Sequence, residues 1–198
     1  MKRKRAITWA VLALLACGLY FASGRVIRLP FPPDTTPEGA YLRIAKSIDE
    51  GQVRDVFPYL ETEAQWASYS IRDARAEARR RVLGSYPEPQ RTALATAYAA
   101  LADAPDGADV FALYAAQKGW VASLRRDLSG VARVETEGER ASVVTAKGTR
   151  YPFRRRDNGI WGLTSFTAQL LAESEKAARD LAVVRAAADD YDRARKAP

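Results

Sequence analysis

Chemistry in this chain has to come from arginines, carboxylates and aromatic rings, because the sequence contains no histidine. Without imidazole there is no Ser-His-Asp or Cys-His nucleophile system and no His-ligated zinc. The usual general base near neutral pH is missing too. Catalysis would fall to Asp, Glu, Tyr or Lys. The sequence has no paired carboxylates, no phosphate-binding glycine loop and no metal-ligand spacing, so neither a cofactor nor a metal is expected. Gly119, Gly130 and Gly148 read as helix ends and turns. The candidate site residues are of two kinds. Trp66, Tyr69, Trp120, Tyr151, Phe153 and Trp161 are the aromatic material of a pocket lining, with Arg155 as a candidate anion-binding group at its mouth. The plainer reading makes the rings ordinary core and Arg155 a snorkelling side chain at a sheet edge. Arg72, Arg75, Arg79 and Arg80 share one side of a helix, and Arg150, Arg154 and Arg156 share one face of a sheet. Both sets suit an anionic partner. Their plainer reading is a solvated surface, with Glu77 supporting Arg81 one turn on.

The elements that position these residues follow a basic, apolar start. Lys2, Arg3, Lys4 and Arg5 precede an uncharged, mostly apolar run from Ala6 to Ser23. As a helix that run spans about 27 Å, close to the ~30 Å of a bilayer's hydrocarbon core. The cations before it outweigh Arg25 and Arg28 after it, so the N-terminus is expected in the cytoplasm and the rest outside. Three fates are open: an uncleaved anchor over residues 1–23, an ordinary cleaved signal peptide, or a lipoprotein signal. Leu14-Leu15-Ala16-Cys17 resembles a lipobox, which makes Cys17 a candidate lipidation site. The chain stays apolar after it, however, and the anchor reading, with Cys17 a buried small hydrophobe, is preferred. Pro30, Pro32 and Pro33 stiffen a spacer over residues 24–36.

The roughly 175 residues after Ser23 can build one domain. Hydrophobic content of 47% and four Trp are those of a folded chain. Net charge is +7, but without the four N-terminal cations 27 Lys and Arg face 24 Asp and Glu, leaving +3. No nucleic-acid partner is expected from that balance. Cys17 is the only cysteine, so no disulfide can form within the domain.

The fold class expected is α+β. N-terminal helices pack on a four-stranded antiparallel meander, between the anchor helix and a long C-terminal helix. The domain spans residues 37–166 and the terminal helix 167–198. Thr36-Pro37 opens a helix that Gly51 closes, and Pro58 breaks the next piece. Thr62-x-x-Gln65 reads as a capping box opening a helix to about Leu83. Shorter helices follow near residues 89–103 and 109–118, the latter capped by Asp109, then a piece from Trp120 to Leu128. From Val131 the period becomes two. A two-residue turn at Gly138-Glu139 pairs Val134 with Val143 and Glu137 with Arg140. Three-residue loops ending in Gly148 and Gly159 pair Val143 with Tyr151 and Phe153 with Leu163, which keeps one face apolar. That face carries Ala132, Val134, Ala141, Val143, Tyr151, Phe153, Trp161 and Leu163 under the helices, with Arg155 at its margin. The opposite face is wet or meets an anionic partner. From Thr167 to about Lys196, residues Leu170, Ser174, Ala177, Leu181, Val184, Ala188 and Tyr191 recur at coiled-coil spacing. The seam suits weak self-association, a partner helix or docking on its own domain.

Two helices ending in Gly51, then a meander with Asp157-Asn158-Gly159-Ile160-Trp161, resemble the nuclear transport factor two-like (cystatin-like) superfamily over about residues 37–166. The chain departs from that pattern by extra helices between 62 and 128, by lacking an early strand, and by its terminal helix. The resemblance implies a curved sheet and helices around a ligand-sized cone, and it transfers no catalytic residue. The expected function is a membrane-tethered, outward-facing, non-catalytic binding or assembly module of the bacterial envelope, with an envelope protein or anionic polymer as partner. Alternatives are a small-ligand carrier, or an isomerase or dehydratase built on a buried carboxylate and a Tyr.

Overall fold

The first helix starts where its capping residue directs. The computed structural model describes residues 31–197, and α1 runs Pro37–Asp49. Thr36 Oγ1 accepts from the Gly39 N–H at 3.1 Å, and proline fills a position whose N–H would have no partner. Segment 1–23 with Cys17, and spacer residues 24–30, lie outside the described residues. Pro58 holds the next piece, Val53–Tyr59, to a 3-10 helix.

Five more helices follow in the unit that begins at Pro32: α2 (Thr62–Ser85), α3 (Gln90–Ala102), α4 (Gly107–Gln117), α5 (Trp120–Asp127) and, after the sheet, α6 (Thr167–Lys196). Two helix starts differ from expectation. The Thr62 capping box does not form, because Thr62 is already the first helical residue. Gln65 Nε2 instead donates back to the carbonyls of Phe57 (3.0 Å) and Leu60 (3.1 Å), tying the 3-10 helix to α2. The cap of α4 is Asp106 and not Asp109, since its carboxylate accepts from the N–H groups of Ala108 and Asp109 at 2.8 and 3.0 Å. No helix among the described residues is long and apolar enough to cross a membrane.

The sheet is a four-stranded antiparallel meander of β1 (Val131–Glu137), β2 (Arg140–Thr145), β3 (Arg150–Arg155) and β4 (Trp161–Leu163), in that spatial order. Its register follows the turns. Val134 faces Val143, Glu137 faces Arg140, Val143 faces Tyr151 and Phe153 faces Leu163. Gly148 and Gly159 end their loops at φ 82°, a left-handed conformation that costs glycine little. The edge of β4 is occupied by Leu60–Glu61: Leu60 bridges Leu163, and the Glu61 N–H donates to Leu163 O at 3.1 Å.

Face coverage departs from expectation at β1. Ala141, Val143, Tyr151, Phe153, Trp161 and Leu163 are buried, but along β1 only Val131 packs against the core, and Ala132 and Val134 are exposed. A bulge between Val131 and Arg133 bends that strand further. Nor is the opposite face simply wet, since Val144 and Gly162 are buried there.

Two hydrophobic clusters hold the unit together. In the larger one, Tyr41, Ile44, Ile48, Phe111, Phe153, Leu163 and Leu170 join α1, α4 and the start of α6 to the sheet. In the smaller one, Ala78, Val82, Tyr86, Ala95, Val184 and Ala188 pack the distal halves of α2 and α6 against α3. The seam of α6 is therefore spent within the chain, where Leu170, Ala177, Val184 and Ala188 are buried. Of the three uses open to it, docking on its own domain is the one seen.

Candidate functional site

The aromatic residues separate into two populations. Trp120, Tyr151, Phe153 and Trp161 belong to the main core, with Trp120 stacked on Phe166 at 4.6 Å. Trp66 and Tyr69 stand on the outer side of the first turns of α2, and Trp66 is 69% exposed. The seven residues proposed as one pocket lining are not brought together. Arg155 does not aim into a cavity: its side chain is half exposed, with Nη1 4.0 Å from Glu139 Oε1, and so it snorkels at the sheet margin.

Around Trp66 and Tyr69 the chain builds a recess of about 250 Å³, lined by Thr62, Gln65, Trp66, Tyr69 and Arg156. Helical spacing puts 62, 65, 66 and 69 on one side of α2. Arg156 arrives from the turn after β3. It donates to Pro58 O (2.8 Å), Thr62 Oγ1 (3.3 Å) and Gln65 Oε1 (3.2 Å), so three segments hold its guanidinium in place. Burial lowers its pKa, yet an arginine so placed stays cationic. The Tyr69 ring meets Phe57 edge-on at 5.8 Å and lies under the Arg72 guanidinium at 5.6 Å. Gly107 makes room for this packing, because a Cβ there would sit 2.8 Å from Phe57 Cζ and 3.2 Å from Tyr69. Sequence reasoning named Trp66, Tyr69 and Arg156 but put the arginine in a different group. It missed Thr62 and Gln65, whose only signal was the capping-box pattern.

The arginines proposed for an anionic partner are already engaged. Arg72 pairs with Asp73 (2.8 Å), Arg79 with Asp103 (2.5 Å), Arg80 with Glu77 and Arg150 with Glu135 (2.5 Å). Arg154 reaches Glu61 and Glu63 at 3.3 and 3.2 Å. Arg75 does not share the outer side of α2. It is buried between α2 and α6, paired with Asp180 at 2.8 Å and set over the Tyr98 ring at 5.0 Å. Except at Arg156, whose acceptors are Pro58 O, Thr62 Oγ1 and Gln65 Oε1, an anion binding at these positions would displace a carboxylate already there.

The acid that an isomerase would need has two approximations. Glu61 is buried, with Oε2 accepting from Thr167 Oγ1 at 2.7 Å and Oε1 from Arg154, but it is not among the residues lining the recess on α2. Tyr114 donates to Glu173 Oε2 at 3.4 Å, and Lys118 holds the other oxygen at 3.0 Å. The hydrogen bond from Lys118 lowers the Glu173 pKa, so this group is held as a carboxylate. No group of three or more His, Cys, Asp or Glu among the described residues could hold a metal.

Burial pushes the pKa of both Tyr114 and Tyr151 up to about 12, from the ordinary tyrosine value of 10.0. Each phenol is thus favoured in its neutral form by folding. Their contribution to stability is full below pH 10 and is lost as pH rises toward 12. Absorbance titration of the chain's nine tyrosines should show a late component near pH 12 coinciding with loss of structure. Tyr114→Phe and Tyr151→Phe together should remove it, and ionisation of all nine near pH 10 would contradict this assignment.

No family model, curated protein or solved structure matches the chain.

Proposed function

We propose that the chain is a membrane-tethered, outward-facing binding module of a bacterial envelope, with no catalysis of its own. Its contact surface for a partner protein is the recess on α2. The observation that carries the reading is Trp66, large, apolar and 69% exposed, beside Tyr69 and a fixed Arg156. Trp, Tyr and Arg are the residues that concentrate binding energy at protein interfaces. A recess of about 250 Å³ takes one side chain of a partner. It falls below the ~300–1,000 Å³ usual for small-molecule pockets. An anionic polymer is the weaker partner, given the carboxylates already on the arginines. The nuclear transport factor two-like superfamily remains the proposed ancestry, on the order of helices and meander.

The test is a photo-crosslinking residue at position 66 in living cells, with the exposed apolar Leu83 position as control. A discrete product at 66 and not at 83 is expected. Identical products at both positions, or none, would remove the reading. Trp66→Ala should weaken partner binding at least ~30-fold, as a hot spot of ~2 kcal/mol would. Its fold stability should change by less than ~0.5 kcal/mol. The address is tested separately by a reporter fused after Pro198, which should act only outside the cytoplasm. Activity inside would overturn the tether and its orientation.

A further inference from the structure

We propose that β1 pairs edge to edge with β1 of a second copy of this chain, antiparallel and centred on Val134. Among the described residues β1 is hydrogen-bonded to a strand on one side only, and the far edge of the sheet is taken by Leu60–Glu61. Every residue from Ala132 to Glu137 is exposed, so no helix stands in the way of a second strand. Val134, on the apolar face, is 36% exposed.

The hydrogen-bond parity of the free edge can be read from its neighbours. Arg155 N–H donates to Glu139 O at 2.8 Å, in line with the β2–β3 register, so residues 139, 141 and 143 turn their backbone groups toward β3. Residues 140, 142 and 144 therefore turn theirs toward β1, where they meet Glu137, Glu135 and Arg133. The N–H and C=O of Val134 and Thr136 are left pointing outward. Only registers that pair outward residues with outward residues make a ladder between two copies.

Charge then selects one register. Centring on Val134 sets Arg133 opposite Glu135 of the second copy on both sides of the axis, in the pair class where side chains approach closest. Centring between Ala132 and Val134 sets Arg133 against Arg133. Centring between Val134 and Thr136 sets Glu135 against Glu135, and centring on Thr136 sets Glu135 against Glu137. Like charges directly opposite are destabilising, so these neighbours are disfavoured. Arg133 holds its own Glu135 through Nε at 2.8 Å, which leaves its terminal nitrogens for the second carboxylate. The bulge at Ala132 ends the regular edge and limits its length. This surface is separate from the recess on α2, and either can fail without the other.

The test uses the full chain in detergent, with the mass of the protein part measured by light scattering. A dimer is expected at tens of micromolar. Val134→Pro removes an outward N–H and leaves the β1–β2 ladder intact, so it should raise the dissociation constant at least tenfold while the thermal unfolding transition persists. Register is read by oxidation in a Cys17→Ser background. Val134→Cys should form a disulfide dimer, and Thr136→Cys, which faces residue 132 of the second copy, should not. A monomeric wild-type chain, a dimer unaffected by Val134→Pro, or preferential cross-linking through position 136 would each overturn the proposal.

Discussion

Trp161→Ala is expected to cost about 3–5 kcal/mol, against a typical domain stability of about 5–15 kcal/mol. The indole is 5% exposed within the main core, so truncation leaves a cavity there. Its Nε1 also donates to Thr35 O at 3.0 Å, and the backbone N–H of the same residue donates to Asp34 O at 3.3 Å. The truncation therefore loosens the segment that leads into α1 as well as the sheet. On the other face, Arg154→Ala and Arg156→Ala should each cost about 1 kcal/mol. On a solvated surface, the plainer reading of these arginines, both substitutions would be near-neutral. Arg156, however, satisfies Pro58 O, Thr62 and Gln65, and Arg154 satisfies the buried Glu61. Denaturant unfolding of the three variants ranks them directly. If the arginine variants unfolded the protein while Trp161→Ala stayed near wild type, the two faces of the meander would be exchanged.

The sheet was legible from sequence because its determinants are local. Loop length fixes register, glycines mark the loops, and a slip of one residue would move Phe153 and Trp161 to the wrong side. The span of α6 was legible for a similar reason, since its apolar positions repeat along one helix. Arg75, Arg79, Arg150 and Arg154 were not legible, because their partners are set by tertiary packing. Asp103 lies 24 residues from Arg79, and Glu61 lies 93 residues from Arg154. Nothing in the spacing of a basic stripe records which carboxylates arrive opposite it. The same holds for the recess. Trp66 and Trp161 are alike as residues, and only the layout of α2 over the 3-10 helix turns one outward and leaves the other in the core. The exposure of β1 was also hidden, since Val131 to Glu137 alternates as a half-buried strand does and the limit of helix cover lies elsewhere in the chain.

The burial of Arg75 leads to the second large effect. Its side chain is 8% exposed, with the Asp180 carboxylate at 2.8 Å and a buried Nη1 that has no hydrogen-bond partner among the described residues. Removing Asp180 leaves that cation buried and uncompensated, which in a fully enclosed pair costs about 3–5 kcal/mol. Asp180 is 38% exposed, so water can partly replace it, and Asp180→Ala should sit near the lower end, about 3 kcal/mol. Arg75→Met keeps the stem against Tyr98 and leaves behind only a carboxylate that water can reach, so it should cost about 1 kcal/mol. The double variant Arg75→Met/Asp180→Ala should be no worse than Arg75→Met alone, because the charge that needed a partner has gone. This ordering, with one single variant less stable than the double, is the signature of a buried charge and not of lost packing. The loss should be greatest where α2 and α6 meet. Amide exchange in Asp180→Ala should quicken around Val82 and Val184 of the smaller cluster before it quickens in β2 and β3. Equal destabilisation in Asp180→Ala and the double variant would show that the α2–α6 contact rests on packing alone.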